Sequence, residues 1–226
     1  MPEAPQNSEL LRSLGRLVRG LSALFWGLPA ALIICVSTAK TEFLRPTGII
    51  PAIAAMGLLY FGLWQIGKFH PQERPWRVAL DRARIAALAN LGLSPFLFWW
   101  NRFPNETFFI YGMAVLSLSG LIFLFNLNLV LERLGAMLPD ETLRQETRQF
   151  TALNRGLLVA LVLLACVYLY LMRMPELPAQ LGVVAEVLAR SSFWVIVFLL
   201  LLPLAMTMAL IWKAKEVILE SVFGGK

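Results

Sequence analysis

The run from Phe108 to Leu131 constrains the fold more than any other feature of the chain. It is apolar apart from Gly112, Ser117, Ser119, Gly120, Asn126 and Asn128, and none of these carries a charge. A helix needs roughly 20 apolar residues to span the hydrocarbon of a bilayer. In lipid, every backbone N–H and C=O must be satisfied within the structure, which leaves helices or closed barrels. The run is continuous rather than alternating, so it reads as a helix. Composition extends this to the whole chain. Of 226 residues, 58% are hydrophobic and only 15% charged, with a mean hydropathy of +0.69. A soluble domain carries about a quarter charged residues, so there is too little polar surface here to cover a globule in water. The expected class is an all-α, polytopic membrane protein.

In chain order, residues 1–9 read as a polar, proline-bearing disordered lead. Leu10, Leu11, Leu14, Leu17 and Val18 set against Arg12, Arg16 and Arg19 suit a short basic amphipathic helix lying on an anionic membrane surface. Spans are expected at about 20–39, 48–67, 85–100, 107–131, 156–172 and 192–212, forming three hairpins between an N-terminal tail (1–19) and a C-terminal tail (213–226). Ser37-Thr38-Ala39 resembles a signal-peptide cleavage site, but the apolar core before it is longer than such signals carry. The segment 173–190, with Pro175 and Pro178, reads as a loop bearing a short surface helix at 181–188.

Orientation follows from the basic residues. The N-terminal tail, the second and fourth loops and the C-terminal tail hold 15 of the 20 Lys and Arg, and the other three loops hold 5. Lys and Arg concentrate in short cytoplasmic loops. Both termini are therefore expected in the cytoplasm, which for a small chain with compact loops suggests a bacterial inner membrane. The segments 67–73 and 135–141 share a Gly, a Pro four residues on and a Glu two further, each ahead of a charged helix that re-enters the membrane. Glycine-proline breaks near span ends are common, so this spacing alone does not establish a duplication.

The candidate polar packing or path residues are Asn90, Ser94, Ser119, Asn126 and Asn128. Gly112, Ser119, Asn126 and Arg133 recur every seven residues along one helix face. Ser117 and Asn128 lie roughly 200° away at about 100° per residue, so the two asparagines cannot enter one cavity on a regular helix. Each face is expected to pack on a different neighbour, with small residues allowing close approach and amides bonding across helices. Asn90 and Ser94 with Asn126 form the first guess at a buried polar cluster. Pro95 beside them frees a carbonyl that another group must satisfy.

The candidate lipid or partner contacts are Arg74, Trp76, Arg77, Arg144, Arg148 and Phe150. Trp76 among arginines reads as an interfacial anchor. The segment Asp140 to Phe150, with Asp140 placed to pair with Arg144, reads as a solvated helix. It is free to pack on Arg74–Arg84, lie on the membrane or dock a partner.

No Gly-x-Ser-x-Gly, Gly-x-x-x-x-Gly-Lys-Ser/Thr or His-Glu-x-x-His motif is present. No catalytic, cofactor or metal residues are therefore assigned, and His70 is the only histidine. Cys35 and Cys166 sit in apolar runs as small hydrophobes. No Lys, Arg, Asp or Glu falls mid-span, which argues against a proton-coupled pump. The favoured expectation is a non-enzymatic accessory or scaffold subunit that contacts membrane lipid, a protein partner or further copies of itself, and not nucleic acid. The alternatives are a small-solute channel with a neutral polar path and, behind it, a lipid-modifying enzyme using Asp81, Glu132 or Asp140.

Overall fold

The computed structural model describes residues 4–40, 45–69, 73–137, 141–173 and 200–220. Among them the chain is helical, without strands. The helices are α1 (Ala4–Lys40), α2 (Ile50–Ile66), α3 (Arg74–Leu93), α4 (Pro95–Arg102), α5 (Thr107–Met137) and α6 (Glu141–Arg173), with a 3-10 turn at Arg45–Thr47. Residues 200–220 are also helical. Among the described residues, two stretches are long and apolar enough to cross a membrane, Arg12–Ala39 within α1 and the whole of α5, while α2 is apolar but has only 17 residues. The loop and surface helix expected over 173–190, the first part of the sixth span, His70, Pro139 and Asp140 lie outside the described residues.

Several expected boundaries are corrected. The basic stretch is not a separate surface helix, and residues 4–9 are helical rather than a disordered lead. One helix runs from Ala4 through Pro29 to Lys40. Leu17 and Leu21 explain the continuity, because both are fully buried against the bundle, so that side of the stretch is not free to lie in lipid. The third span breaks at Ser94–Pro95 into α3 and α4. Proline lacks the N–H that would reach the Leu91 carbonyl. Ser94 Oγ donates to that carbonyl instead, at 2.8 Å, so the break leaves no orphan there. α3 itself starts at Arg74, well ahead of the span at 85, with Pro75 in its first turn.

The helices close a circuit. α1 packs on α2, α2 on α3, α3 on α5, and α5 on α6. Helix 200–220 returns the circuit to α1, where Phe25 meets Trp212 with ring centroids 5.6 Å apart. One apolar core runs through it, including Leu17, Leu21 and Leu24 of α1, Leu63 and Ile66 of α2, Trp76 of α3, Leu127 and Leu134 of α5, and Ile211 and Ile218. Small residues permit the closest crossing. A Cβ on Gly20 would stand 2.8 Å from the Gly62 carbonyl, and one on Gly62 would stand 3.1 Å from the Gly20 carbonyl. Where burial in lipid supplies little drive for helices to associate, such contact is the main source of affinity.

The glycine-proline segments close two similar helix pairs, α2–α3 and α5–α6. Gly67 and Gly135 stand 68 residues apart, and part of the buried pattern recurs at that offset, although buried Trp76, Leu80 and Ala87 fall on exposed Arg144, Arg148 and Arg155. Ala55, Leu59, Gly62, Leu63 and Ile66 of α2 correspond to Phe123, Leu127, Val130, Leu131 and Leu134 of α5. Ala79, Ala83, Ala86 and Asn90 of α3 correspond to Thr147, Thr151, Asn154 and Leu158 of α6.

The perimeter is apolar. Trp26, Ile33, Ile50, Ile85, Phe108, Tyr111 and Leu163 are each more than half exposed, well beyond the scattered apolar exposure of a water-soluble surface.

Candidate functional site: a buried amide–hydroxyl lock

The described residues bring three polar side chains together inside the bundle, on three helices. Asn128 (α5), Asn154 (α6) and Thr207 (helix 200–220) are each fully buried. Asn128 Nδ2 donates to Thr207 Oγ1 at 3.1 Å and to the Leu124 carbonyl of its own helix at 2.8 Å. Asn154 Nδ2 donates to the same hydroxyl at 3.0 Å and to the Pro203 carbonyl at 3.2 Å. Thr207 Oγ1 in turn donates to the Pro203 carbonyl at 2.8 Å. Asn128 Oδ1, at 3.4 Å, is a longer alternative acceptor for the same proton, so the hydroxyl accepts from two amides and donates its single proton, its full hydrogen-bonding capacity. Two buried oxygens nearby on α6, Thr151 Oγ1 and Asn154 Oδ1, have no partner among the described residues.

Local sequence explains why α6 carries this face. Thr147, Thr151 and Asn154 fall three and four residues apart, so they lie on one side of the helix, and Leu158 and Leu161 continue the stripe. At its start, Thr147 packs on Gly135, where a Cβ would stand 3.0 Å from Thr147 Oγ1. Glu146 and Lys213 form an ion pair between α6 and helix 200–220. Arg155 lies over the Phe125 ring at 5.2 Å. Arg144 caps the end of α5 by donating to the Ala136 carbonyl at 3.2 Å, a cation at a helix C-terminus.

The expected cluster of Asn90, Ser94 and Asn126 is not assembled by hydrogen bonds. Asn126 is half-buried and donates to Ile122 of its own helix at 2.8 Å. Ser94 bonds Leu91 as described, and buried Asn90 leaves its Oδ1 without a partner among the described residues. Ser119 is half-buried. Asn154 and Thr207 were missed because the apolar stripe of α6 starts before the hydrophobic run. Placing the start of the span at Gly156 separated Asn154 from the helix face that uses it. The seven-residue recurrence of Thr147, Asn154 and Leu161 was the available signal.

On the outward side, Arg74, Arg77, Arg148 and Phe150 are exposed. Trp76 is a correction. It is fully buried, and its indole Nε1 donates to the Phe69 carbonyl at 3.1 Å, so it seals the α2–α3 turn and does not anchor in lipid. Two other tryptophans carry a cation over the ring: Trp64 with Lys68, at 3.4 Å from the centroid, and Trp212 with Lys215, at 5.5 Å. At the opposite end, Trp99, Phe103 and Phe109 stack, and Asn101 donates to the Thr38 carbonyl at 2.8 Å. Asp81 is exposed and pairs with Arg84 at 3.5 Å. The described residues hold no group of three His, Cys, Asp or Glu placed to bind a metal. No family model matches this chain, and neither do curated proteins or solved structures.

Proposed function

We propose that the chain is a six-span inner-membrane protein with both termini in the cytoplasm, acting as an accessory or scaffold subunit. It would hold partner proteins or anionic lipid through its helix faces and basic cytoplasmic ends. The observation that carries this reading is the lock. Thr207 and the amide nitrogens of Asn128 and Asn154 are spent on joining three helices, which is structural work rather than the lining of a path. The apolar perimeter supports immersion in lipid, and the Trp64–Lys68 and Trp212–Lys215 pairs support a common membrane boundary at one end. The test is cross-linking in native membranes followed by purification. A protein that reproducibly brings down the same neighbour supports the subunit role, and a bare monomer in every membrane preparation overturns it.

A second reading rests on Thr151 Oγ1 and Asn154 Oδ1. Buried oxygens without partners suit a wetted site for a small neutral or cationic solute. Flux in reconstituted vesicles that is lost on Asn154→Leu would favour a channel or transporter, and no flux above empty vesicles would exclude it.

A further inference from the structure

We infer that the cytoplasmic end of α1 binds the headgroup of an anionic phospholipid through Arg12, Arg16 and Arg19, with an acyl chain lying along Trp26. The inference rests on the membrane-spanning reading of α1. It replaces the exposed arginines of α3 and α6 as the principal lipid contact.

Arg12, Arg16 and Arg19 follow one another at four and three residues, within an arc of roughly 60° at about 100° per residue. All three are exposed, and none forms an ion pair or hydrogen bond with another described residue. Gly15 lies beside them with no atom within 4 Å of a would-be Cβ. The four residues border an open surface space along one face of α1. Three guanidinium groups on one face match a phosphate, which arginine binds bidentately.

Two observations favour a lipid over a soluble anion. First, the opposite side of the same turns is fixed, because Leu17 and Leu21 are fully buried. The arginines therefore cannot roll toward the bundle and are held on its flank. Second, the same helix face continues into exposed apolar residues. Trp26 lies seven residues beyond Arg19 and is 68% exposed, and Ile33 follows seven residues later at 64%. At about 1.5 Å per residue, Trp26 stands about 10 Å from Arg19, within the roughly 15 Å depth of one leaflet's hydrocarbon. One stripe thus offers cationic groups at headgroup level and an apolar rail below them, the two ends of a phospholipid.

Each arginine near an anionic surface favours binding about fivefold, so all three contribute on the order of a hundredfold. The experiment uses delipidated full-chain protein in neutral detergent, titrated with phosphatidylglycerol or phosphatidylcholine, with bound lipid counted by native mass spectrometry. Wild type is expected to retain one phosphatidylglycerol in preference to phosphatidylcholine. The variant R12Q/R16Q/R19Q is expected to lose that preference by about a hundredfold, R12K/R16K/R19K, which keeps the charge but not the bidentate fork, to fall between it and wild type, and R74Q/R77Q to keep all of it. Trp26→Ala should weaken the lipid, and millimolar inorganic phosphate should not displace it. Helicity by circular dichroism checks that each variant is folded. Equal retention by R12Q/R16Q/R19Q overturns the inference, as does equal loss in R74Q/R77Q, and displacement by inorganic phosphate shows a simple anion site instead. Failure to cross-link a partner would sink the subunit role while leaving this lipid result untouched.

Discussion

Replacing Thr207 by Val tests the lock most directly, because the two side chains have nearly the same shape and only the hydroxyl is lost. Three hydrogen bonds disappear, two from the amides of Asn128 and Asn154 and one to the Pro203 carbonyl. If both amide hydrogens became fully orphaned, mutational data from water-soluble proteins would put the cost at about 1–3 kcal/mol each. The lower end applies here. Asn128 Nδ2 keeps the Leu124 carbonyl, and Asn154 Nδ2 keeps the Pro203 carbonyl. Measured side-chain hydrogen bonds between membrane helices average about 0.6 kcal/mol, so three bonds amount to about 2 kcal/mol. That corresponds to roughly a thirtyfold shift in the folding equilibrium. Reversible unfolding in mixed micelles with increasing sodium dodecyl sulfate, followed by helicity, measures it. Thr207→Ser keeps the hydroxyl and should lose only about 1 kcal/mol of methyl packing. Ser117→Ala is the control, since Ser117 is exposed and bonds its own helix at Met113, and it should change stability by less than about 0.5 kcal/mol. The lock is refuted if T207V stays within about 0.5 kcal/mol of wild type, or if Thr207→Val and Thr207→Ser are equally destabilised.

Three further outcomes follow from the packing. Gly20→Ala should cost about 1–3 kcal/mol, because its Cβ would meet the Gly62 carbonyl at 2.8 Å and force α1 from α2. Gly57→Ala faces open space and should be neutral or stabilising by up to about 1 kcal/mol. The same unfolding assay separates the two, and equal effects would refute the close crossing. Trp76→Phe should cost about 1–3 kcal/mol by removing the indole N–H bond to the Phe69 carbonyl and part of a fully buried ring without changing membrane partitioning; an effect on partitioning alone would restore the anchor role. For topology, in a Cys35→Ala/Cys166→Ala background, a membrane-impermeant thiol reagent should label Asn105→Cys in intact cells. It should reach Gln149→Cys only after permeabilisation, and labelling of Gln149→Cys in intact cells would end the six-span reading.

The helical class was legible because runs such as Phe108–Leu131 admit little else, and the glycine-proline breaks near 67 and 135 fell close to real helix ends. Trp76 was misread because its flanking arginines describe an interface equally well whichever way the ring points. Only the Phe69 carbonyl, seven residues back across a turn, decides the direction. The lock was hidden for a related reason. Its members lie 26 and 53 residues apart along the chain, at Asn128, Asn154 and Thr207. Polar residues near span ends look alike until the neighbouring helix is placed.

The correspondence between the two helix pairs sharpens what the polar residues of α6 are for. At the matched positions α3 presents Ala79, Ala83 and Ala86, where α6 presents Thr147, Thr151 and Asn154. Alanine fills these three positions on α3, so the polar groups of α6 add something there beyond filling space. For Asn154 it is the bonds to helix 200–220. Thr151 has no such contact: its hydroxyl is buried, at 1% exposure, and unpartnered among the described residues. Thr151→Ala copies the counterpart Ala83. It gives up about 1 kcal/mol of methyl packing and removes an unsatisfied hydroxyl that costs about 1–3 kcal/mol, so it should be neutral or stabilising. Asn154→Ala, copying Ala86, should cost about 1–2 kcal/mol by removing the bonds to Thr207 and Pro203, and should speed hydrogen exchange in residues 200–220. If Thr151→Ala is instead destabilised by more than about 1 kcal/mol, the hydroxyl holds a bound water or solute. The seam of α6 would then be a wet site, and the transport reading would displace the scaffold.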